Sequence, residues 1–247
     1  MKIDLTNKVA LVTGASGELG RVMARTLTQC GARVAIHYFQ AEAKALALQK
    51  ELPRSCTVQA DVTKLDDVVR MRDAVVRQLG APDIIVNNAV IQYKWKPVLE
   101  QAADDYRSQF ESCVLHNVLI AQTFVPAMIV KKWGRVIGIN TECAMQNWPS
   151  QSAYVAGKRG MDGVLRVLAK EVGAHGITVN QVAPGWTVSE NRPAAGRSDG
   201  YLNAVPLKRW GTDQDIANAV AFLASDLAGY ITGAYIPVCG GNVMPTI

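Results

Sequence analysis

Apolar runs of strand length alternate with longer helical patterns along this 247-residue chain. The predicted strands cover residues 9–12, 34–36, 57–59, 84–86, 134–139, 177–180 and 234–238. The predicted helices cover residues 21–29, 41–52, 65–79, 104–131, 153–172 and 213–224. Because alternating strands and helices favour a parallel sheet covered on both faces, the sequence predicts an α/β fold. We expect one doubly wound domain over residues 1–247, with about seven strands.

Two irregular places are predicted in this pattern. The helix at 104–131 is expected to be interrupted near Pro126, since proline removes a helical hydrogen bond. Residues 184–206 are rich in Gly, Pro, Ser and Asn, which is typical of a long loop.

Composition excludes several classes of protein. Hydrophobic residues make up 49% of the chain and charged residues 19%, which argues against disorder. The sequence contains no run of about 18 apolar residues, so no membrane span is predicted. The first residues lack a secretory cleavage site, so the expected compartment is the cytoplasm. The net charge is +5, but the basic residues are dispersed. No nucleic-acid partner is therefore predicted.

The cysteines predict neither a disulfide framework nor a metal site. They are odd in number and never spaced as CxxC: Cys30, Cys56, Cys113, Cys143 and Cys239. Structural disulfides and zinc sites need closer, regular spacing. We therefore expect reduced thiols and no bound metal.

A glycine-rich turn, Thr13–Gly20, lies between the first predicted strand and the first predicted helix. Glycines permit a tight turn and bring backbone N–H groups close to a pyrophosphate, and the following helix N-terminus adds partial positive charge. The turn therefore predicts a Rossmann-type dinucleotide site. Its candidate cofactor-binding residues are Gly14, Ser16, Gly17, Glu18, Leu19 and Gly20.

Further motifs follow this turn in a fixed order. They are Asp61-Val62, Asn87-Asn88-Ala89, Tyr154-Val155-Ala156-Gly157-Lys158 and Pro184-Gly185. Together with Thr13, Gly14 and Gly20 they resemble the short-chain dehydrogenase/reductase family, in its 3-oxoacyl-carrier-protein-reductase-like branch, over nearly the whole chain. The resemblance implies a carbonyl reductase that moves a hydride between NAD(P)(H) and a small ketone or secondary alcohol. It also implies a homotetramer joined through the helices at 104–131 and 153–172.

Tyr154 and Lys158 lie four residues apart on a predicted helix, so their side chains share one face. A nearby ammonium is expected to lower the pKa of the Tyr154 phenol towards neutrality. The resemblance implies that Tyr154 is the catalytic acid and base and that Lys158 also binds the nicotinamide ribose. It places Thr141 where the family has a catalytic serine.

Cys113 falls where the family has an asparagine that extends the proton relay. A thiol is a weak donor and acceptor, so the relay is expected to be incomplete. His116 and Asn117, three and four residues further on, are alternatives for this role, as is simple helix packing.

The resemblance implies further cofactor contacts from Asp61, Val62, Asn88, Ala89, Pro184, Gly185, Thr187 and Ser189. Glu18 and Val90 replace family glycines near the cofactor. At 6 Å and an effective dielectric of 20, the Glu18 carboxylate would repel a phosphate charge by about 3 kcal/mol, whereas a Glu18 side chain that points into bulk water would repel it by well under about 1 kcal/mol. No acid follows the second strand, which favours NADP(H) over NAD(H), and His37 is a candidate partner for the 2′-phosphate.

The substrate is predicted to lie under a lid at about residues 186–206, because loops carry specificity. Trp95, Trp148 and Trp186 either line this pocket or pack elsewhere. The departures at Glu18, Val90 and Cys113 leave a second interpretation open. In it the chain is a family scaffold with lost or altered redox activity that acts as a binding or non-redox protein.

Overall fold

A computed structural model of the chain describes residues 2–190 and 199–244. The strands are β1 Val9–Val12, β2 Arg33–Tyr38, β3 Cys56–Gln59, β4 Ile84–Asn87, β5 Gly134–Ile139, β6 Ile177–Pro184, β7 Thr187–Val188, β8 Gly211–Thr212 and β9 Tyr235–Val238. The helices are α1 Glu18–Gln29, α2 Glu42–Glu51, α3 Leu65–Leu79, α4 Ala103–Gln109, α5 His116–Lys131, α6 Cys143–Gln146, α7 Ser152–Val172, α8 Asp199–Ala204 and α9 Asp213–Ala224. A π-helical segment, Phe110–Leu115, joins α4 to α5.

Seven strands form one parallel sheet in the order β3-β2-β1-β4-β5-β6-β9. The order reverses between β1 and β4, which pair from Ala10 opposite Ile84 onwards. In sheets of this kind ligands bind outside the carboxyl ends of the strands at such a reversal. The α/β prediction of a doubly wound sheet with about seven strands is confirmed.

Helices cover both faces of the sheet, and each face has its own apolar core. Helices α1, α2 and α9 contribute to the core on one side. Helices α3, α5 and α7 contribute to the core on the other. Since the central strands are buried on both faces, they read as continuous apolar runs such as Val9–Val12.

The predicted interruption near Pro126 is wrong. Helix α5 continues through Pro126, and the irregular turn is the π-helical segment that precedes it. A proline costs a helix one hydrogen bond, and here the buried Phe124 and Met128 hold the surrounding turns against the core.

The predicted loop at 184–206 is also wrong in part. Strand β7 pairs with β8, and α8 lies within the same stretch. The predicted lid overlaps residues 191–198, which lie outside the described residues. Elsewhere α1 begins at Glu18, three residues before the predicted start.

One continuous helical run, Ala103–Lys131, is long and apolar enough to cross a membrane by length and composition alone. The core helix of a soluble protein meets the same two criteria, so they do not assign a membrane span. Here α5 packs against α3, α7 and β5.

Candidate active site

A cleft of about 760 Å³ runs along the carboxyl ends of the strands from the glycine-rich turn to Tyr154. Such a volume lies within the usual range for small-molecule sites. Most of the predicted site residues line it: Gly14, Ser16, Gly17, Glu18, Leu19, Gly20, His37, Asp61, Val62, Asn88, Ala89, Thr141, Tyr154, Lys158, Pro184 and Gly185. The fold therefore brings together residues that are up to 171 positions apart, from Gly14 to Gly185.

The glycine-rich turn is shaped by close backbone approaches. Gly14 has a φ of 63°, a conformation that favours glycine. A Cβ on Gly20 would lie 2.3 Å from the carbonyl oxygen of Gly14. Helix α1 begins immediately after the turn, and its first N–H groups have no partner within the helix. The turn is thus built to present backbone donors to an anion.

The His37 side chain stabilises this turn through a hydrogen bond. The Gly14 N–H donates to its Nδ1 at 2.9 Å, so the proton on Nε2 is donated to the Ala60 carbonyl at 3.0 Å. Burial lowers the pKa of His37 to about 4. Although the ring lines the cleft, it is neutral and both nitrogens are engaged. The prediction that His37 binds a 2′-phosphate is therefore wrong in this geometry.

The Glu18 carboxylate forms an ion pair with a neighbouring cation. Glu18 Oε2 lies 2.6 Å from a guanidinium nitrogen of Arg21, one turn further along α1. That guanidinium also contacts Glu190 at 3.0 Å. Because this one cation is shared by two carboxylates, it offsets only part of the repulsion expected between Glu18 and a phosphate.

Tyr154, Thr141 and Lys158 meet at the other end of the cleft. The Thr141 side chain hydrogen-bonds the Tyr154 phenol. Lys158 Nζ donates to the Ile139 carbonyl at 2.6 Å and lies 5.7 Å from the centroid of the Tyr154 ring. A proton donor, a second hydroxyl and a cation therefore converge on one place.

The pKa of Tyr154 differs from its predicted direction. Burial raises it, and this effect outweighs the hydrogen bond from Thr141, which lowers it. Burial also lowers the pKa of Lys158. The expectation that Lys158 brings the phenol close to neutrality is wrong for this geometry, because desolvation dominates. Tyr154 holds its proton at neutral pH.

Hydrogen bonds to main-chain carbonyls fix the backbone that carries the Thr141 and Lys158 side chains. Asn140 Nδ2 donates both to the Lys158 carbonyl, at 3.0 Å, and to Gln181 Oε1, at 2.7 Å. The Tyr235 hydroxyl donates to the Thr141 carbonyl at 2.5 Å. The end of β5 is thereby tied to α7, β6 and β9.

Known proteins resemble the chain over this whole framework. Residues 14–242 match a family model described as "Enoyl-(Acyl carrier protein) reductase". The chain is 39% identical to 3-oxoacyl-[acyl-carrier-protein] reductase FabG of Staphylococcus epidermidis, over 96% of this chain and all of that protein. A Serratia marcescens short-chain dehydrogenase/reductase structure is 30% identical, with a TM-score of 0.89 and 96% and 98% of the two chains covered.

The chain belongs to the short-chain dehydrogenase/reductase family. It is therefore an oxidoreductase. A further member, a blue fluorescent protein from a metagenomic library solved in complex with NADPH, is 33% identical. The two structures match with a TM-score of 0.89, and the match covers 98% of this chain and 100% of the fluorescent protein's chain.

In this short-chain dehydrogenase/reductase Cys113 does not line the cleft. Its side chain is buried in the apolar core, where Sγ lies 4.0 Å from Gln109 Oε1. Cys113 is nevertheless close enough to Tyr154 and Lys158 to influence the pKa of each, so a part for the thiol in the relay stays a prediction.

The two alternatives to Cys113 are buried as well. Asn117 Nδ2 donates to the Cys113 carbonyl, and its Oδ1 accepts from Asn87 Nδ2, both at 2.7 Å. His116 Nδ1 donates to the Ser112 carbonyl at 3.1 Å. These contacts brace the π-helical segment. That segment brings Glu111 and Ser112 to the cleft, which the sequence pattern did not indicate.

Thr187 and Ser189 are likewise absent from the lining of the cleft. Both side chains hydrogen-bond Asp213, the first residue of α9. Strand β7, which carries Thr187, pairs with β8 just before that helix. Direct cofactor contact by these two side chains is therefore not supported.

Several residues in the lining were not predicted from motifs. Phe39, Gln40 and Lys64 surround the end of the cleft near Asp61 and Val62. Lys64 lies two residues after the Asp61-Val62 motif, so this positively charged side chain could have been predicted from its proximity to the motif. Val90 lines the cleft and also packs against the adjoining core.

A second hollow of about 190 Å³ adjoins Tyr154 and Thr141. Trp95 and Trp186 line it, which is one of the two alternatives that the sequence left open for them. Trp148 is exposed and is not in the lining of either cavity.

Two buried histidines predict a loss of stability in mild acid. Burial lowers the pKa of His37 to about 4 and that of His116 to about 3. The unfolded chain binds more protons below about pH 6.5, so stability falls as the pH falls from there towards 4. Each histidine is expected to cost about 2 kcal/mol between pH 7 and pH 5.

Chemical denaturation of wild type and His37→Gln at the two pH values checks this. The variant is expected to lose less stability on acidification than the wild type. His175→Gln, on the half-buried turn after α7, is the matched control and should follow the wild type. Equal slopes for all three proteins would contradict the assignment.

Proposed function

We propose that this protein is an NADP(H)-dependent reductase that transfers a hydride between the nicotinamide and a ketone or secondary alcohol. The observation that carries the proposal is the continuous cleft. It has an anion-binding turn at one end and the Tyr154, Thr141 and Lys158 side chains at the other. A dinucleotide lying along it would have its phosphates at the turn and its reactive ring at the hydroxyl groups.

The residues present fit a dinucleotide. Gly14 and Gly20 permit the close backbone approaches that shape the turn, and Arg21 pairs with Glu18. These residues would hold the pyrophosphate, while Lys158 lies where it would reach the nicotinamide ribose. When bound, NADPH supplies the hydride.

NADP(H) is favoured over NAD(H) by charge. Residues at the end of β2 include no acid that would repel a 2′-phosphate. Lys64 lines the same end of the cleft and can offer a cation. The relative solved with NADPH supports the same choice.

The protein groups at the reacting end have distinct tasks. Tyr154 keeps its proton until a carbonyl oxygen accepts it, since burial raises its pKa. Thr141 can donate a second hydrogen bond to that oxygen. Lys158 places positive charge behind the phenol and favours loss of its proton at the moment of transfer.

Relatives named for reduction of 3-oxoacyl groups on acyl carrier protein support a ketone as the substrate. A homotetramer remains a proposal. Exposed apolar side chains at Phe110, Val130 and Val167 lie on the helical stretches expected to join subunits. The cytoplasm remains the predicted compartment.

Thermal-shift titration with NADPH and with NADH tests the cofactor. At about 100 times the dissociation constant a ligand stabilises by about 2.7 kcal/mol. This should raise the Tm by about 5–10 °C for a chain of this size. We expect a larger shift with NADPH at equal concentration, and Lys64→Ala should narrow the difference between the two nucleotides.

The control for that variant is Lys170→Ala, since Lys170 lies in the last turn of α7 and is not in the lining of the cleft. No shift with either nucleotide would contradict the proposal. It would favour the alternative of a scaffold without redox activity.

A further inference from the structure

The hollow beside Tyr154 differs from the cofactor cleft in size and chemistry. Its volume is about 190 Å³, and it shares Tyr154 and Thr141 with the larger cleft. A carbonyl oxygen at these two hydroxyl groups would therefore place one of its substituents in the hollow. A cavity of about 150 Å³ can hold benzene, so this hollow has room for about one ring.

The walls of the hollow are largely aromatic. Tyr93, Trp95 and Trp186 line it together with Tyr154. Among the described residues that line it there is no Lys, Arg, Asp or Glu. A charged substituent would lose its hydration there without gaining an ion pair, whereas a flat apolar ring would meet ring faces.

Contacts among the lining residues hold one wall of the hollow in place. The Tyr93 hydroxyl accepts a hydrogen bond from the Tyr154 N–H at 2.8 Å. The Trp95 ring stacks on the Tyr154 ring, with centroids 6.1 Å apart and planes 25° apart. This wall therefore rests on the catalytic tyrosine itself.

The part of the wall that Trp186 forms is fixed by a stack of three rings. Trp186 packs on Tyr201 with centroids 5.5 Å apart, and Tyr201 packs on Trp210 at 4.9 Å. The backbone N–H of Trp186 donates to the Tyr201 hydroxyl at 2.9 Å, and that hydroxyl donates to the carboxylate of the buried Glu142. Both indoles that line the hollow are nonetheless exposed by about two fifths, 43% for Trp95 and 42% for Trp186. Such large apolar surfaces left open beside a reacting group are suited to a ligand.

We infer that the substrate is a neutral aryl ketone: one aromatic ring on the carbonyl carbon, packed in the hollow that Trp95 and Trp186 line, and one small substituent. This inference rests on the proposed function. In the step, hydride from NADPH forms the C–H bond and the C=O π bond breaks. The oxygen takes the Tyr154 proton, so NADPH is oxidised and the ketone is reduced to a secondary alcohol.

A matched panel of ketones tests the inference. The panel is acetophenone, cyclohexyl methyl ketone and acetoacetyl-CoA, each with NADPH. We expect kcat/KM for acetophenone to exceed that for its saturated analogue by about three- to tenfold, the range expected from ring stacking. Trp95→Ala should remove this preference and Trp95→Phe should keep it. Trp148→Ala is the control and should behave as the wild type does.

The two ways of failing are distinct. Reduction of cyclohexyl methyl ketone or acetoacetyl-CoA as well as or better than acetophenone would overturn the inference while leaving the proposed function intact. A preference for acetophenone that survives Trp95→Ala would also overturn it. Absence of NADPH oxidation with every ketone would overturn the proposed function and the inference with it.

Discussion

Tyr154→Phe is expected to lower kcat for ketone reduction by about 10²- to 10⁴-fold, which is the usual contribution of a positioned proton donor. The variant removes one hydroxyl and keeps the ring that packs against Trp95. NADPH binding should therefore remain. Steady-state kinetics measures the loss, and thermal shift with NADPH checks that the cleft is still formed.

Tyr230→Phe is the matched control. Its ring is fully exposed and lies away from the cleft, so its kcat should equal that of the wild type. If Tyr154→Phe kept more than about a tenth of the wild-type kcat, Tyr154 would not be the proton donor.

Gly20→Ala is expected to have the largest effect on cofactor binding. Its Cβ would lie 2.3 Å from the Gly14 carbonyl oxygen and 2.8 Å from the Ala15 Cα. Both are backbone atoms of the turn, so the turn must move. Overpacking of this kind costs about 1–3 kcal/mol, and displaced N–H donors should weaken NADPH binding by more than about tenfold.

Thermal unfolding and NADPH titration of the purified variant measure the two losses. Gly173→Ala is the control, because a Cβ at this position would have no atom within 4 Å and its φ of −58° suits alanine. Its stability should match or slightly exceed that of the wild type. Wild-type NADPH affinity in Gly20→Ala would contradict the role assigned to the turn.

The sequence predicts the sheet and the cleft well for a physical reason. Strands buried on both faces must be apolar throughout, so runs such as Val9–Val12 identify them without knowledge of their neighbours. The glycine-rich turn and the Tyr154–Lys158 pair are local in sequence. Once the fold is predicted, both motifs are expected to lie in the cleft at the carboxyl ends of the strands, and they do line it.

Properties that depend on distant contacts could not be predicted. The neutral state of His37 arises from burial and from hydrogen bonds to Gly14 and Ala60, each 23 residues away. The pKa of Tyr154 is raised by burial, and the four-residue spacing between Tyr154 and Lys158 gives no information about burial. The burial of Cys113 depends on the geometry of the π-helical segment that carries it and on the packing of that segment against its neighbours.

The most direct test of the proposed hydride transfer is the passage of label to the ketone panel from NADPH that carries deuterium at both C4 positions, followed by mass spectrometry of the alcohol. We expect deuterium on the carbinol carbon of at least one product with the wild type, and its loss in Tyr154→Phe. An unlabelled product, or no alcohol from a folded protein that binds NADPH, would contradict hydride transfer at this site.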